Sequence, residues 1–162
     1  MNNVDLLLLN LSEVRRRSIK VWTTIPEEKL DWRPDSEALS CKEMIRHVLE
    51  AEYIYLQILR NQGNTQNITS PFEAKVFTSV KDELHFAQPY HELFIDFVRS
   101  LSNEELENIK IDRSNLTELG YTGYIRSLGD MLLRIAYHEG VHIGQILDYM
   151  RTMQIDRPDI WD

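Results

Sequence analysis

Four stretches of the chain carry apolar residues at alternating steps of three and four, the period of a helix with one buried face. The first spans about 4–23, with Leu7, Leu11, Val14, Ser18 and Val21 on one stripe. Pro26 and then Trp32-Arg33-Pro34-Asp35 break it. A second helix is predicted from Ser40, which forms an S-x-x-E capping box with Glu43, and it should stop near Gly63. Its stripe reads Met44, His47, Ala51, Ile54, Ile58. The third runs from about Ser79 to Ser100, with Val80, Leu84, Ala87, His91, Phe94, Val98 and Leu101 in line; Pro89 should kink it or delay its start. The fourth covers about 127–153, with Ser127 and Asp130 as a cap pair. No stretch alternates convincingly as a strand, and the connections at roughly 64–78 and 102–126 are polar with scattered aromatics. Four such helices in one small domain over 1–162 most simply make an all-α four-helix bundle.

The chemistry lies in the fourth helix. Taking its inward seam as 128, 131, 135, 138, 142, 145 and 149 puts His138, His142 and Gln145 in the middle, where aliphatic residues would pack better. Burying a polar group without a partner costs about 1–3 kcal/mol, so three in a row need a shared reason. His138 and His142 lie one turn apart and can aim both imidazoles at one spot. His47, on the second stripe beside small Ala51, offers a third nitrogen. A three-His set leaves coordination positions open, as catalytic metals require, and suits zinc or nickel, with iron, manganese or copper also compatible. Each residue also has a plainer reading as a hydrogen-bonded core histidine. For the pair that reading is weaker, because neighbouring buried imidazoles repel when protonated. His91 lies on the third stripe, either near the metal or in a structural hydrogen bond, and His85 is off the stripe in solvent. Gln145, Tyr149 and Tyr53 are candidates for orienting a ligand or lining the pocket.

Composition trims the alternatives. Among 162 residues, 26 acids against 18 Lys+Arg give a net charge of −8, which argues against a nucleic-acid groove. The longest purely apolar run, Leu6–Leu9, is far short of the ~20 residues that span a bilayer. A single cysteine, Cys41, excludes an internal disulfide and a multi-cysteine zinc site, and with an unremarkable start to the chain it points to the cytoplasm. Residues 138–142 also match the H-E-x-x-H of zinc peptidases. The longer peptidase pattern fails, because Gln145 and Asp148 stand where glycine and histidine belong. Glu139 also points about 100° away from His138.

Two blocks together resemble the DinB/YfiT-like metalloenzyme family. One is Leu30-Asp31-Trp32-Arg33-Pro34 followed by the helix from Ser40 through His47 to Glu52; the other runs from Ser127 through His138 and His142 to Gln145 and Ile146. The resemblance covers essentially the whole chain. It implies a bundle of up-down-down-up connectivity, with the two long connections as crossovers. It also implies a divalent metal on His47, His138 and His142, a small-molecule substrate and a homodimer. Family members include thiol S-transferases using a low-molecular-weight thiol and proteins described as metal-dependent hydrolases. Ile143 and Asp130 depart from the commoner basic residue and Glu without removing a ligand. Three function classes therefore stand side by side: a metal-dependent transferase or hydrolase, a metal-binding protein without catalysis in which the ion cross-braces two helices, and a helical stress or interaction protein whose histidines satisfy one another.

Overall fold

Every helix of eight residues or more begins on a polar side chain that serves its free N–H groups. In the computed structural model, which describes residues 1–161, α1 (Asn3–Trp22) starts on a reciprocal Asn2/Asp5 capping box. The helix α2 (Cys41–Arg60) starts on the expected Ser40/Glu43 box. Ser79 caps α3 (Val80–Arg99), and Ser127 caps α5 (Leu128–Thr152) by accepting from the Asp130 amide. Each such cap is worth about 1 kcal/mol. Pro89 neither delays nor interrupts α3. It lies on the exposed side, where water serves the carbonyl left without its helical partner. Gly63 ends the α2 region as predicted: its φ is +106°, and a Cβ there would stand 1.9 Å from the Asp112 carbonyl oxygen. Only glycine fits.

The helices form an all-α bundle in which α1 packs on α5 and α3, and α2 packs on α3 and α5. Two apolar clusters divide its interior along the long axis. One gathers Leu7 and Leu11 of α1, Leu56 and Leu59 of α2, Phe94 and Val98 of α3, and Leu128 to Ile135 of α5. The other gathers Val21 and Trp22, Met44 to Leu49, Val80 and Ala87, and Ile143 to Met150. The N-terminal halves of α1 and α5 thus share an end with the C-terminal halves of α2 and α3, which is the up-down-down-up arrangement.

Only one of the two long connections is a crossover. Residues 61–79 carry the chain the length of the bundle, because α2 ends where α3 ends. Residues 100–127 join helix ends that already lie together, and they fold locally. They form the short α4 (Asn103–Asn108), then β1 (Lys110–Asp112), a 3-10 stretch (Ser114–Leu119) and β2 (Ile125–Ser127). The strands β1 and β2 pair antiparallel with Ile111 opposite Arg126. Ile111 is fully buried under the first cluster, which is what holds this unpredicted ribbon in place.

The buried seams of α2 and α5 begin as expected, at Met44 and at Leu128, Met131 and Ile135, and then move one residue away, although Ile58 stays buried as expected. In α2 the interior takes Cys41, Ile45, Val48, Glu52, Leu56 and Leu59; in α5 it takes Leu128, Met131, Ile135, Glu139, Ile143, Ile146 and Met150. On α1 the expected stripe holds except that Arg15 replaces Val14. Adjacent helical registers both carry apolar residues at three-four spacing. The correct ones looked polar because Arg15, Glu52 and Glu139 are charged. They are buried because they neutralise one another.

A candidate metal centre on the α2–α5 flank

Between the two apolar clusters, all four long helices contribute to one charged layer. Arg15 donates from Nε to Glu139 Oε1 at 2.8 Å and from Nη2 to Glu139 Oε2 at 3.0 Å. The same Nη2 donates to Glu52 Oε2 at 3.1 Å. Ser18 Oγ also donates to Glu139, and His91 Nδ1 lies 3.0 Å from Glu52 Oε1. Burial works against charge on Arg15, but Glu52 and Glu139 outweigh it and raise its pKa. Burial opposes charge on Glu52 as well, yet Arg15 and His91 hold its carboxyl below the ordinary range. The layer is saturated. Glu139 is therefore committed to the core and cannot serve as the general base of a peptidase.

Shifting each seam by one place turns His47, His138 and His142 out of the interior, onto the flank where α2 and α5 meet antiparallel. All three are partly exposed. Their ring nitrogens nevertheless converge. His138 Nε2 stands 3.1 Å from His47 Nε2 and 3.1 Å from His142 Nε2, and all three donor atoms lie within 4.8 Å of one another. The rings of His47 and His142 are nearly perpendicular, at 84°, as are those of His138 and His142. Nitrogens bound tetrahedrally to zinc at about 2.0–2.1 Å stand about 3.3 Å apart, so the two short spacings fit one such ion.

Protons alone do not satisfy this cluster. His142 Nδ1 lies 2.7 Å from Gln145 Oε1, an atom that only accepts, so His142 donates from Nδ1, and the neutral ring in that tautomer has its lone pair on Nε2. His138 Nε2 has one in-plane site, for an N–H or a lone pair, and two nitrogen neighbours, so only one of the two approaches can be a hydrogen bond. Extra protons do not resolve the conflict. Burial, followed by the charges of His142 and His47, pushes His138 down to about 4. Burial and His142 lower His47 too, against the pull of Glu50. At neutral pH the centre holds His138 and His47 uncharged, with nitrogens aimed at a common point. Such a set can hold one divalent cation, with Gln145 orienting one of the three imidazoles.

A groove of about 400 Å³ opens beside the cluster, lined by His47, His138, Ala51, Ile54, Tyr55, Tyr124 and Arg113 among others. Tyr55 turns its ring edge to His138, with centroids 6.0 Å apart. Of the residues expected around the site, Gln145 is there. His91 is not, since its Nδ1 faces Glu52 and Arg15 in the core layer. Tyr149 packs on Trp32 and Tyr53 on Tyr90, both in the second apolar cluster. Tyr55 takes the place imagined for Tyr53, and sequence could have shown it: 47, 51 and 55 are successive four-residue steps along one helix face. Arg113 and Tyr124 arrive from the folded connection, and no local pattern announces them. His85 is exposed and Cys41 is buried.

The likeness to known proteins extends over this whole arrangement. The solved structure of the DinB-like protein YjoA from Bacillus subtilis superposes with a TM-score of 0.67 at 18% sequence identity, covering 96% of this chain and 97% of that one. At that identity the likeness speaks for the fold alone. No curated protein matches the chain. The family model of the DinB superfamily matches residues 10–146, a span that includes His47, His138, His142 and Gln145. The chain belongs to the DinB superfamily.

Proposed function

We propose that the protein is a divalent-metal-dependent enzyme in which His47, His138 and His142 hold one ion, zinc or nickel by donor type, and which acts on a small molecule as a thiol S-transferase or a hydrolase. The observation behind this reading is the convergence of three Nε2 atoms, two spacings at 3.1 Å, with the His142 tautomer set by Gln145. Such an ion supplies a Lewis acid that lowers the pKa of a water or a low-molecular-weight thiol at an open position. The chain does the rest. His138 and His47 stay neutral down to mild acid because burial disfavours their charged forms. Ala51 and Ile54 keep the wall beside the cluster apolar, and the groove admits a reactant. A bracing ion without catalysis would need no such groove, which favours an enzyme over a purely structural metal protein.

Elemental analysis of the purified protein tests the first step. Wild type should carry about one ion per chain and the His138→Ala/His142→Ala variant almost none. Equal metal in both would end the proposal. Titrating the cobalt-substituted protein with a small thiol then tests the transferase chemistry: a new sulfur-to-cobalt charge-transfer band supports it, and an unchanged spectrum removes it.

A further inference from the structure

The groove beside the histidines has a second chemical end. In a chain of net charge −8, eight arginines are paired to carboxylates among the described residues: Arg15, Arg16, Arg17, Arg33, Arg46, Arg99, Arg126 and Arg151. Arg113, which lines the groove, has no carboxylate partner among the described residues. Its Nε is shut off from solvent without an acceptor. An anionic acceptor can satisfy such a donor, whereas the Arg126 guanidinium, whose Nε is likewise without an acceptor, already holds Asp130. The backbone explains how Arg113 is held: its amide donates to the Tyr124 carbonyl at 2.8 Å, next to the β1–β2 ribbon.

Further positive charge collects at the same place. Arg134 Cζ sits 4.8 Å from the centre of the Tyr124 ring and Arg126 Cζ 5.3 Å from it. Arg126 is neutralised by Asp130 at 2.7 Å, whereas Arg134 has no carboxylate partner among the described residues. The Tyr55 hydroxyl feels the charges of both Arg113 and Arg134, while its ring touches His138. Tyr55 therefore links the basic end of the groove to the histidine end, with Ile54 and Ile58 forming apolar wall between. From His47 to Ile58 the α2 axis advances about 16 Å, the length of a small metabolite.

We infer that this groove binds a small organic anion, its carboxylate or phosphate on Arg113 with support from Arg134, and its apolar body along Ile54, Ile58 and Tyr55. Resting on the metal reading above, the inference makes this anion the substrate, with its reacting atoms toward the histidines. Guanidinium forks take either headgroup in paired charge-assisted hydrogen bonds. Glu50, at the histidine end, would repel a headgroup bound the other way round, which sets the polarity of binding.

Binding to the metal-free, chelator-treated full chain tests this apart from the metal. Benzoate and phenyl phosphate are the anionic probes, and benzyl alcohol is the neutral one. Both anions should bind wild type more tightly than benzyl alcohol, and the tighter of the two identifies the headgroup. Arg113→Gln should weaken the anions at least about tenfold, Arg113→Lys less, and Arg134→Gln only a few-fold. Arg60→Gln, in a residue stacked on Phe97 outside the groove, should bind as wild type does. Arg113→Gln should also melt like wild type, because its main-chain bonds to Tyr124 remain. Anion binding that survives Arg113→Gln, falls equally in Arg60→Gln, or never exceeds that of benzyl alcohol would overturn the inference. None of those results would touch the metal stoichiometry, so the two readings fail separately.

Discussion

Two polar clusters share α2 and α5 and differ in how fully they satisfy themselves. Glu52 and Glu139 face the bundle axis, where Arg15 and His91 meet them. His138, the immediate neighbour of Glu139, faces the flank together with His47 and His142. In the inner cluster the charged atoms have partners of opposite sign, and nothing further is called for. In the outer one three nitrogens point at the same place with too few protons among them. Burial by itself therefore misleads as a sign of function. The more buried cluster satisfies itself, and the half-exposed, unsaturated cluster is the one that could hold a metal ion.

The contrast can be broken from the inside first. Arg15→Met leaves two buried carboxylates without a counter-charge and should cost about 3–5 kcal/mol in urea unfolding, the largest effect of any single change considered. Replacing the set together, Arg15→Met/Glu52→Leu/Glu139→Leu, should recover most of that loss, since an apolar layer packs as well as a paired one. If Arg15→Met alone were neutral, the layer would not be the brace described. On the flank the expected currency is affinity rather than stability. Gln145→Leu should weaken zinc binding about 10–100-fold in a competition titration by freeing the His142 tautomer, with little change in melting because Gln145 is exposed. An unchanged affinity would reduce Gln145 to a bystander.

The smallest effect expected is on pH. His138 is held at about 4 against an ordinary 6.5, so the folded chain resists a proton that the unfolded chain takes up. The contribution to stability is whole above 6.5 and is lost as pH falls from there toward 4. Metal-free wild type should thus lose melting temperature across that window more steeply than His138→Ala. Parallel melting curves for the two proteins would mean that burial and the neighbouring histidines do not hold the His138 imidazole down in the apo state. The carboxylates held low, such as Glu43 and Glu52, act further down, below 4.5, and so leave this window to the imidazoles.

Much of the molecule is legible in the chain itself. Helix limits were readable from Ser40, Glu43, Ser79, Ser127 and Gly63, because capping and left-handed turns are decided by residues three or four apart. The ligand candidates were readable for the same reason, His138 and His142 being one turn apart and His47 lying on a matching face of α2. What could not be read was which of two neighbouring stripes faced inward. The one-residue shift depends on Arg15 reaching Glu52 and Glu139 across the bundle, and a charge looks solvent-bound until its partner is seen.

The ribbon of residues 110–127 escaped for a similar reason. Three-residue strands carry too little alternation to register, and they are held by Ile111 beneath a core assembled from other elements. Sequence by itself determined the four long helices, the caps at Ser40 and Ser127 and the choice of three candidate imidazoles, all of which rest on local spacing. Tertiary structure alone decided that the histidines stand on the flank rather than in the core, that Arg113 and Tyr124 border them, and that Glu139 is buried against Arg15. Those facts follow from long-range charge pairing and packing, which no short stretch of chain contains.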